Sequence, residues 1–410
     1  MKSDKTMANN RLNRRTFLKT SLLGTTGALL ANRVHASRTS PSFDPEELKA
    51  GIVKRTLGNT GLKMPVVNFG VMRADNPNLV KAAMEAGMEH FDTAHVYQNG
   101  NNEKMLGEVF KDYPRDAFTI ASKVKPEEKD RKTGHLLAGS TKKAFLERLD
   151  TSLKKLKMDH VDILYSHVIS SRQAVLFEPI VDALLTAKKQ GKTRFIGVST
   201  HRNEPEVIRA AIEGGVHDVV LTAYNFRQDH RKELMQAIQE ASRAGIGIVA
   251  MKTMAGGKFG ELSDKAMPYQ AALKWALRTP HVHTSIPGIT SFEQLRENMA
   301  IMADLKLSKE EQKFLYAASF DQGLYCNGCD RCTDTCPRDI PIPDMMRAYM
   351  YAYGYGETAK AKQEMTELGI GENPCRDCDI CTATCPKNFD IPGKLADISR
   401  ITQVPGDFLV

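Results

Sequence analysis

The stretch Val161-Asp162-Ile163-Leu164-Tyr165-Ser166-His167-Val168 leads, through a helix-like segment at 179–189, into Thr193-Arg194-Phe195-Ile196-Gly197-Val198-Ser199-Thr200. Two short runs rich in β-branched residues, separated by a segment of helical period, read as strand, helix, strand. Working outward, the same alternation continues in both directions. Further strand candidates lie at 66–72, 90–94, 118–124, 218–223, 245–252 and 282–287, with helical patterns at 79–86, 141–156, 205–213, 231–243 and 270–277. Eight strands alternating with helices over roughly 250 residues match the size and rhythm of a (β/α)8 TIM barrel, an α/β fold. A doubly wound open sheet is the alternative, but it would carry Gly-x-Gly-x-x-Gly after its first strand, and 66–75 has none. The preceding piece, 54–65, reads as a hairpin that plugs the barrel's bottom.

Beyond the barrel, at 54–303, comes a linker at 304–323 and then a different kind of sequence. Cys326-x2-Cys329-x2-Cys332-x3-Cys336-Pro337 recurs as Cys375-x2-Cys378-x2-Cys381-x3-Cys385-Pro386, and the two runs hold all eight cysteines of the chain. Soft thiolates at this spacing suit paired [4Fe–4S] clusters. Three close sulfurs wrap one cubane, and the fourth, behind its proline, points to the other. The expected ligand sets are crossed: Cys326, Cys329, Cys332 and Cys385 for one cluster, and Cys375, Cys378, Cys381 and Cys336 for the second. Structural zinc favours two CxxC pairs instead, and disulfides remain the alternative for an exported chain. The spacer at 342–371 patterns as two helices, so 324–400 reads as a mainly helical two-cluster domain of ferredoxin type. Its Met- and Tyr-rich part, 345–355, is expected to pack against the barrel, with contact to a quinone or a membrane as the alternative.

The +8 net charge is concentrated at one end. Residues 1–36 carry seven basic side chains against Asp4 alone, leaving 50 basic and 48 acidic in the remainder. A nucleic-acid partner is therefore not indicated. The basic region, the short apolar stretch 22–31 and Val34-His35-Ala36 form the three parts of a secretory signal. Asn13-Arg14-Arg15-Thr16-Phe17-Leu18-Lys19 resembles a twin-arginine signal, with Asn where Ser or Thr is usual. Cluster proteins are assembled in the cytoplasm, and that route carries folded cargo. The expectation is export through the Tat translocon to the periplasm or cell envelope, with 1–36 as the signal peptide.

Barrel active sites sit at the C-terminal ends of the strands. Asp92 and Tyr97 belong to the end of the second strand, Lys123 to that of the third and His167 to that of the fourth. Chemically these four are coherent. A phenol is a weak acid at neutral pH, a nearby ammonium is expected to lower its pKa, and a carboxylate would hold that ammonium. An imidazole would orient a carbonyl.

In this region the chain resembles the aldo-keto reductases. The matching pieces are Phe91-Asp92-Thr93-Ala94-x2-Tyr97, Asn102-Glu103, Leu106-Gly107, Ser122-Lys123, Asp162-Ile163-Leu164-x2-His167, Ile196-Gly197-Val198-Ser199, Tyr224-Asn225, Ile286-Pro287-Gly288 and Glu297-Asn298. The resemblance implies Tyr97 as acid/base, Lys123 and Asp92 as its tuners, His167 as substrate orienter, and a nicotinamide cofactor, NAD(H) or NADP(H). Its expected contacts are Ser199, Thr200, Thr253, Gly256, Gly257 and Asn298, with the backbone after the seventh strand near the pyrophosphate. The pattern also departs from the family. Thr200 stands where Asn is common, Leu221 where Gln is common, and Gly288, Ile289 and Gln294 where basic and hydroxyl groups grip a 2′-phosphate. Reductases joined to a ferredoxin-type domain form a bacterial subgroup that the whole mature chain resembles.

Two functions follow. One is an exported oxidoreductase that interconverts a small carbonyl compound and its alcohol, coupled through two [4Fe–4S] clusters to a one-electron carrier protein or the quinone pool. The other is a non-catalytic electron-transfer or docking protein that uses the barrel as scaffold.

Overall fold

Eight short strands whose side chains are buried nearly throughout can satisfy their backbone only by pairing side by side, and here they close on themselves. The computed structural model describes residues 51–257, 266–320 and 323–409; the expected signal peptide lies outside them. An antiparallel hairpin, β1 (Lys54–Thr56) and β2 (Lys63–Pro65), precedes β3 (Phe69–Gly70), β4 (His90–Asp92), β5 (Thr119–Val124), β6 (Val161–Ser166), β7 (Thr193–Thr200), β8 (Val219–Ala223), β9 (Gly247–Met251) and β10 (Thr284–Ser285). β3 to β10 are all parallel and ordered consecutively. The ring closes between first and last: the Asn68 amide donates to the Ser285 carbonyl at 2.8 Å, and the Gly70 amide to the Pro287 carbonyl at 3.1 Å. Gly70 is required there, because a Cβ would lie 2.5 Å from the Ile286 carbonyl oxygen.

Helices follow the strands and bury one face against the outside of the ring, as in Lys142–Leu156 with Phe145, Leu149, Leu153 and Leu156 inward. Thr141 caps that helix by accepting from the Ala144 amide at 3.2 Å. A second, smaller core fills the ring itself: Ala121, Ile163, Tyr165, Val219, Leu221 and Val249, with Leu57 and Met64 of the hairpin. The hairpin is thus the expected plug. Leu221 fills the barrel interior at the position where the family commonly has Gln.

The stretch 304–323, expected as a linker, contains a helix, Lys309–Ser319. Ser308 and Glu311 form a reciprocal capping box at its start, and Leu315 and Ala318 join the barrel's outer core. The linker reading missed the capping signature and the helical spacing of those two apolar residues. After it, the cysteine-bearing module is mainly helical, with Ile342–Tyr353, Thr358–Glu367 and Ile391–Ser399 around a core of Met345, Met346, Met350, Met365 and Leu395. Barrel and module belong to one compact unit, Asp44–Val410. Among the described residues no helix is long and apolar enough to cross a membrane.

Candidate active site and cluster-binding region

Strand register brings the four expected side chains together. Asp92 pairs with Ala121 across β4 and β5, which sets Lys123 two residues further along the neighbouring strand, on the same face. The Lys123 ammonium forms a buried ion pair with Asp92 and also donates to the Thr93 carbonyl at 2.6 Å. Tyr97 lies in a turn whose next two residues, Gln98 and Asn99, adopt left-handed backbone. Its ring is 4.9 Å from the Lys123 nitrogen and meets the His167 ring edge-on at 5.9 Å. Supporting residues hold this arrangement. Asn102 accepts from the Thr93 hydroxyl at 2.6 Å and donates to the Val71 carbonyl at 2.7 Å. Glu103 accepts from Ser122 at 2.7 Å.

The electrostatics differ from expectation in one respect. Burial, reinforced by the carboxylates of Asp92 and Glu364, pushes the Tyr97 phenol well above its ordinary value. Lys123 does not lower it, because its charge is already engaged by Asp92, so Tyr97 is held protonated as a donor. Burial keeps His167 neutral, well below the usual imidazole value, and its Nδ1 has no partner. One oxygen of Asp92 is likewise unpartnered. Unsatisfied buried polar atoms of this kind mark a place where a ligand completes the hydrogen bonding.

The barrel mouth is roofed by the cysteine-bearing module. A cavity of about 1050 Å³ is lined by Asp92, Tyr97 and His167 from the barrel and by Arg347, Tyr351 and Glu364 from the helices Ile342–Tyr353 and Thr358–Glu367. Ties around the rim fix the roof: Arg73 to Glu357 at 2.7 Å, Lys125 to Glu367 at 2.9 Å, Arg202 to Asp330 at 2.9 Å and Lys387 to the Arg227 carbonyl at 2.8 Å. Each barrel partner follows the C-terminal end of a strand. The Met- and Tyr-rich helix therefore packs on the barrel, as expected.

The cysteines fall into two groups by mutual influence. Cys326 and Cys332 feel Cys329 and Cys385, whereas Cys375 feels Cys378, Cys381 and Cys336. These are the crossed sets expected from the spacing. Burial and neighbouring thiols push Cys326 up to about 11 and Cys332 up to about 12. Thiols gathered in this way are the donor set whose charge, once ionised, iron would balance. Among the described residues no three side chains converge on a single-ion site. A cubane does not ask for that, because each thiolate binds a different iron.

The comparisons agree with this geometry. The Aldo/keto reductase family matches residues 68–265, and the 4Fe-4S dicluster domain matches 325–390. The chain is an aldo-keto reductase domain joined to a 4Fe–4S dicluster domain. Methylglyoxal reductase DkgB of Salmonella typhi is 29% identical over 280 residues, 64% of this chain and 96% of that protein. The thermostable aldo-keto reductase Tm1743, solved with the inhibitor epalrestat, is 26% identical with a TM-score of 0.54, covering 65% of this chain and 100% of that one. An aldo-keto reductase from Klebsiella pneumoniae, solved with NADPH, shares the fold at 22% identity and a TM-score of 0.52, covering 65% of this chain and 95% of its own. The protein is an oxidoreductase of aldo-keto reductase type with an iron–sulfur domain.

In the reductase domain the expected nicotinamide contacts separate into two groups. Thr253, Gly257 and Asn298 line the cavity, and the Thr253 hydroxyl has no partner. Ser199, Thr200 and Gly256 do not line it. The Ser199 hydroxyl accepts from the Val168 amide at 3.2 Å, and the Thr200 hydroxyl donates to the Arg202 carbonyl at 2.9 Å. The amides of Ala255 and Gly257 are engaged in turns with Lys252 and Met254. Gly354 of the roof sits so close that a Cβ on it would lie 2.7 Å from the Gly256 carbonyl oxygen. Glu293 and Glu297, one helical turn apart, line the same cavity beside Gly288 and Asn298. Sequence reasoning missed His201 and Lys252 as site residues, although each directly follows or ends a predicted strand, where barrel sites are built. It missed Arg347, Tyr351 and Glu364 because nothing local announces that a distant helix will roof the mouth.

Proposed function

We propose that the protein is an exported oxidoreductase that interconverts a small carbonyl compound and its alcohol and exchanges the electrons singly through two [4Fe–4S] clusters. The observation that carries this reading is the shared cavity: the helix Ile342–Tyr353 of the cluster domain walls the space into which Tyr97 and His167 face. Bound NAD(H) would supply or accept the hydride, and the clusters would take electrons one at a time. Tyr97, held protonated, donates its hydroxyl proton to the carbonyl oxygen as the carbon is reduced, and takes one back in the reverse direction. Neutral His167 orients that oxygen. Lys123, fixed by Asp92, packs against the Tyr97 ring and holds it in place for the transfer. Redox partners would be a one-electron carrier protein or the quinone pool.

NAD(H) is favoured over NADP(H). The side of the cavity that would take the adenosine carries Glu293 and Glu297, and like charges disfavour a 2′-phosphate. The engaged Thr200 hydroxyl and the covered Gly256 favour a second reading, a docking or electron-transfer protein whose barrel has no turnover. Fluorescence titration with NADH and NADPH separates the two. Saturable NADH binding, followed by bleaching of the cluster absorption when alcohol is added with NAD, supports the enzyme. Absence of binding by either nucleotide supports the scaffold.

A further inference from the structure

Lys252 stands at the end of β9 with left-handed backbone, φ 55°, a conformation in which a lysine is unusual. It lines the large cavity and also a smaller one reaching Cys326. Cys326 lies within electrostatic range of it, but no carboxylate is free to pair with its charge. The carboxylates that act on it are engaged elsewhere: Glu364 pairs with Lys360 at 2.8 Å, and Glu204 accepts from Gln228 at 3.1 Å and contacts His230 at 2.9 Å. Among the described residues no ion pair or hydrogen bond is made by its ammonium, which lies 5.5 Å from the Tyr351 ring. Two further groups face the same corner. Arg347 is 13% exposed and paired on one nitrogen with Asp344 at 3.0 Å. His201 has a buried Nδ1 without a partner. The corner adjoins the reacting groups, since His201 is within electrostatic range of His167, and Tyr351 of Tyr97.

A half-buried cation that no carboxylate pairs, next to a second cation and an unsatisfied imidazole, is complementary to an oxyanion. We propose that Lys252, His201 and Arg347 seat an acidic group of the substrate, so that the carbonyl compound handled at Tyr97 and His167 is a small oxo acid or the matching hydroxy acid. This rests on the oxidoreductase reading for the word substrate, but the seat itself is a binding site that exists without turnover. Because Arg347 comes from the cluster domain, the seat is complete only when the roof is in place.

The test is calorimetric titration of the full, cluster-loaded protein with oxalate, with inorganic phosphate and ADP as the other arms. Oxalate is expected to bind, Lys252→Met to weaken it at least ten-fold, and Lys252→Arg to restore most of the loss. An unchanged absorption spectrum of the clusters in Lys252→Met shows that the variant has folded. Oxalate affinity is expected to be the same with and without saturating NADH. Displacement of oxalate by ADP or NADH would assign Lys252 to the dinucleotide's diphosphate, and tighter binding of phosphate than of oxalate would assign the seat to a phosphorylated substrate; either overturns the proposal. So does a Lys252→Met variant that shifts the midpoint potential of a cluster while leaving oxalate affinity unchanged, because the lysine then serves only the charge of the cysteines. Failure of NADH to bind sinks the oxidoreductase reading and leaves the oxalate result standing.

Discussion

Lys252 and Cys326 line the same small cavity between the barrel mouth and the first cysteine run. One residue follows the strand β9 and the other opens a cluster ligand set, so the two halves of the chain meet where their chemistry would have to meet. Arg347 and His201 border both this cavity and the larger one. The wall between reductase site and cluster site is therefore one layer of side chains.

The buried pair at the centre of the reductase site is expected to show its nature by unequal single and double mutants. Lys123→Met leaves the Asp92 carboxylate buried and alone, at a cost of about 3–5 kcal/mol in denaturant melts. Lys123→Met combined with Asp92→Leu recovers much of that stability, because no charge remains to be solvated. Neither variant recovers turnover, and Tyr97→Phe, which leaves the pair intact, lowers it by about 10²–10⁴-fold.

Crossed ligation makes a distinctive prediction for the cysteines. Cys385→Ser is expected to damage the same cluster as Cys326→Ser, and Cys336→Ser the same cluster as Cys375→Ser. Iron content should fall from about eight to about four per chain in each. The paired variants should then give matching electron paramagnetic resonance spectra. Spectra that match within a run, Cys336 with Cys326, would overturn the crossing.

Acid sensitivity should trace to buried imidazoles. Burial lowers His90 from 6.5 to about 4, and its Nδ1 contacts the Thr119 hydroxyl at 2.9 Å. The unfolded chain therefore binds a proton below pH 6.5 that the folded one refuses until about pH 4. Stability falls as the pH drops through that window, by about 3 kcal/mol at most for this group. His90→Gln should flatten, without abolishing, the slope of Tm against pH between 6.5 and 4, since His217 and His283 are lowered in the same way.

The leader is tested by location. Replacing Arg14 and Arg15 together by Lys is expected to leave the protein in the cytoplasm with its clusters intact. Iron and antigen measured in periplasmic and cytoplasmic fractions check this, and unchanged export would remove the twin-arginine reading.

Much of the architecture was legible because its signals are local. Strand runs, helical periods and the Cys-x2-Cys-x2-Cys-x3-Cys-Pro spacing depend on neighbours within a few residues, so they can be read along the chain. The tetrad was legible too, since strand ends in a barrel converge on one mouth. The helix Lys309–Ser319 was also written locally, in Ser308 and Glu311, and was overlooked.

Other features had no local signature. That Tyr97 is raised rather than lowered follows from burial and from Asp92 engaging the ammonium, which depends on how three strands and a roof enclose it. That Thr200 donates to the Arg202 carbonyl, and that Gly354 lies over Gly256, are contacts set by packing. By itself the sequence determined the barrel, the cysteine grouping and the four side chains of the reductase mouth, because spacing encodes them. Only the tertiary structure decided that the cluster domain roofs that mouth and brings Arg347 to Lys252, because contacts between segments so far apart in the chain are chosen by the fit of two finished surfaces.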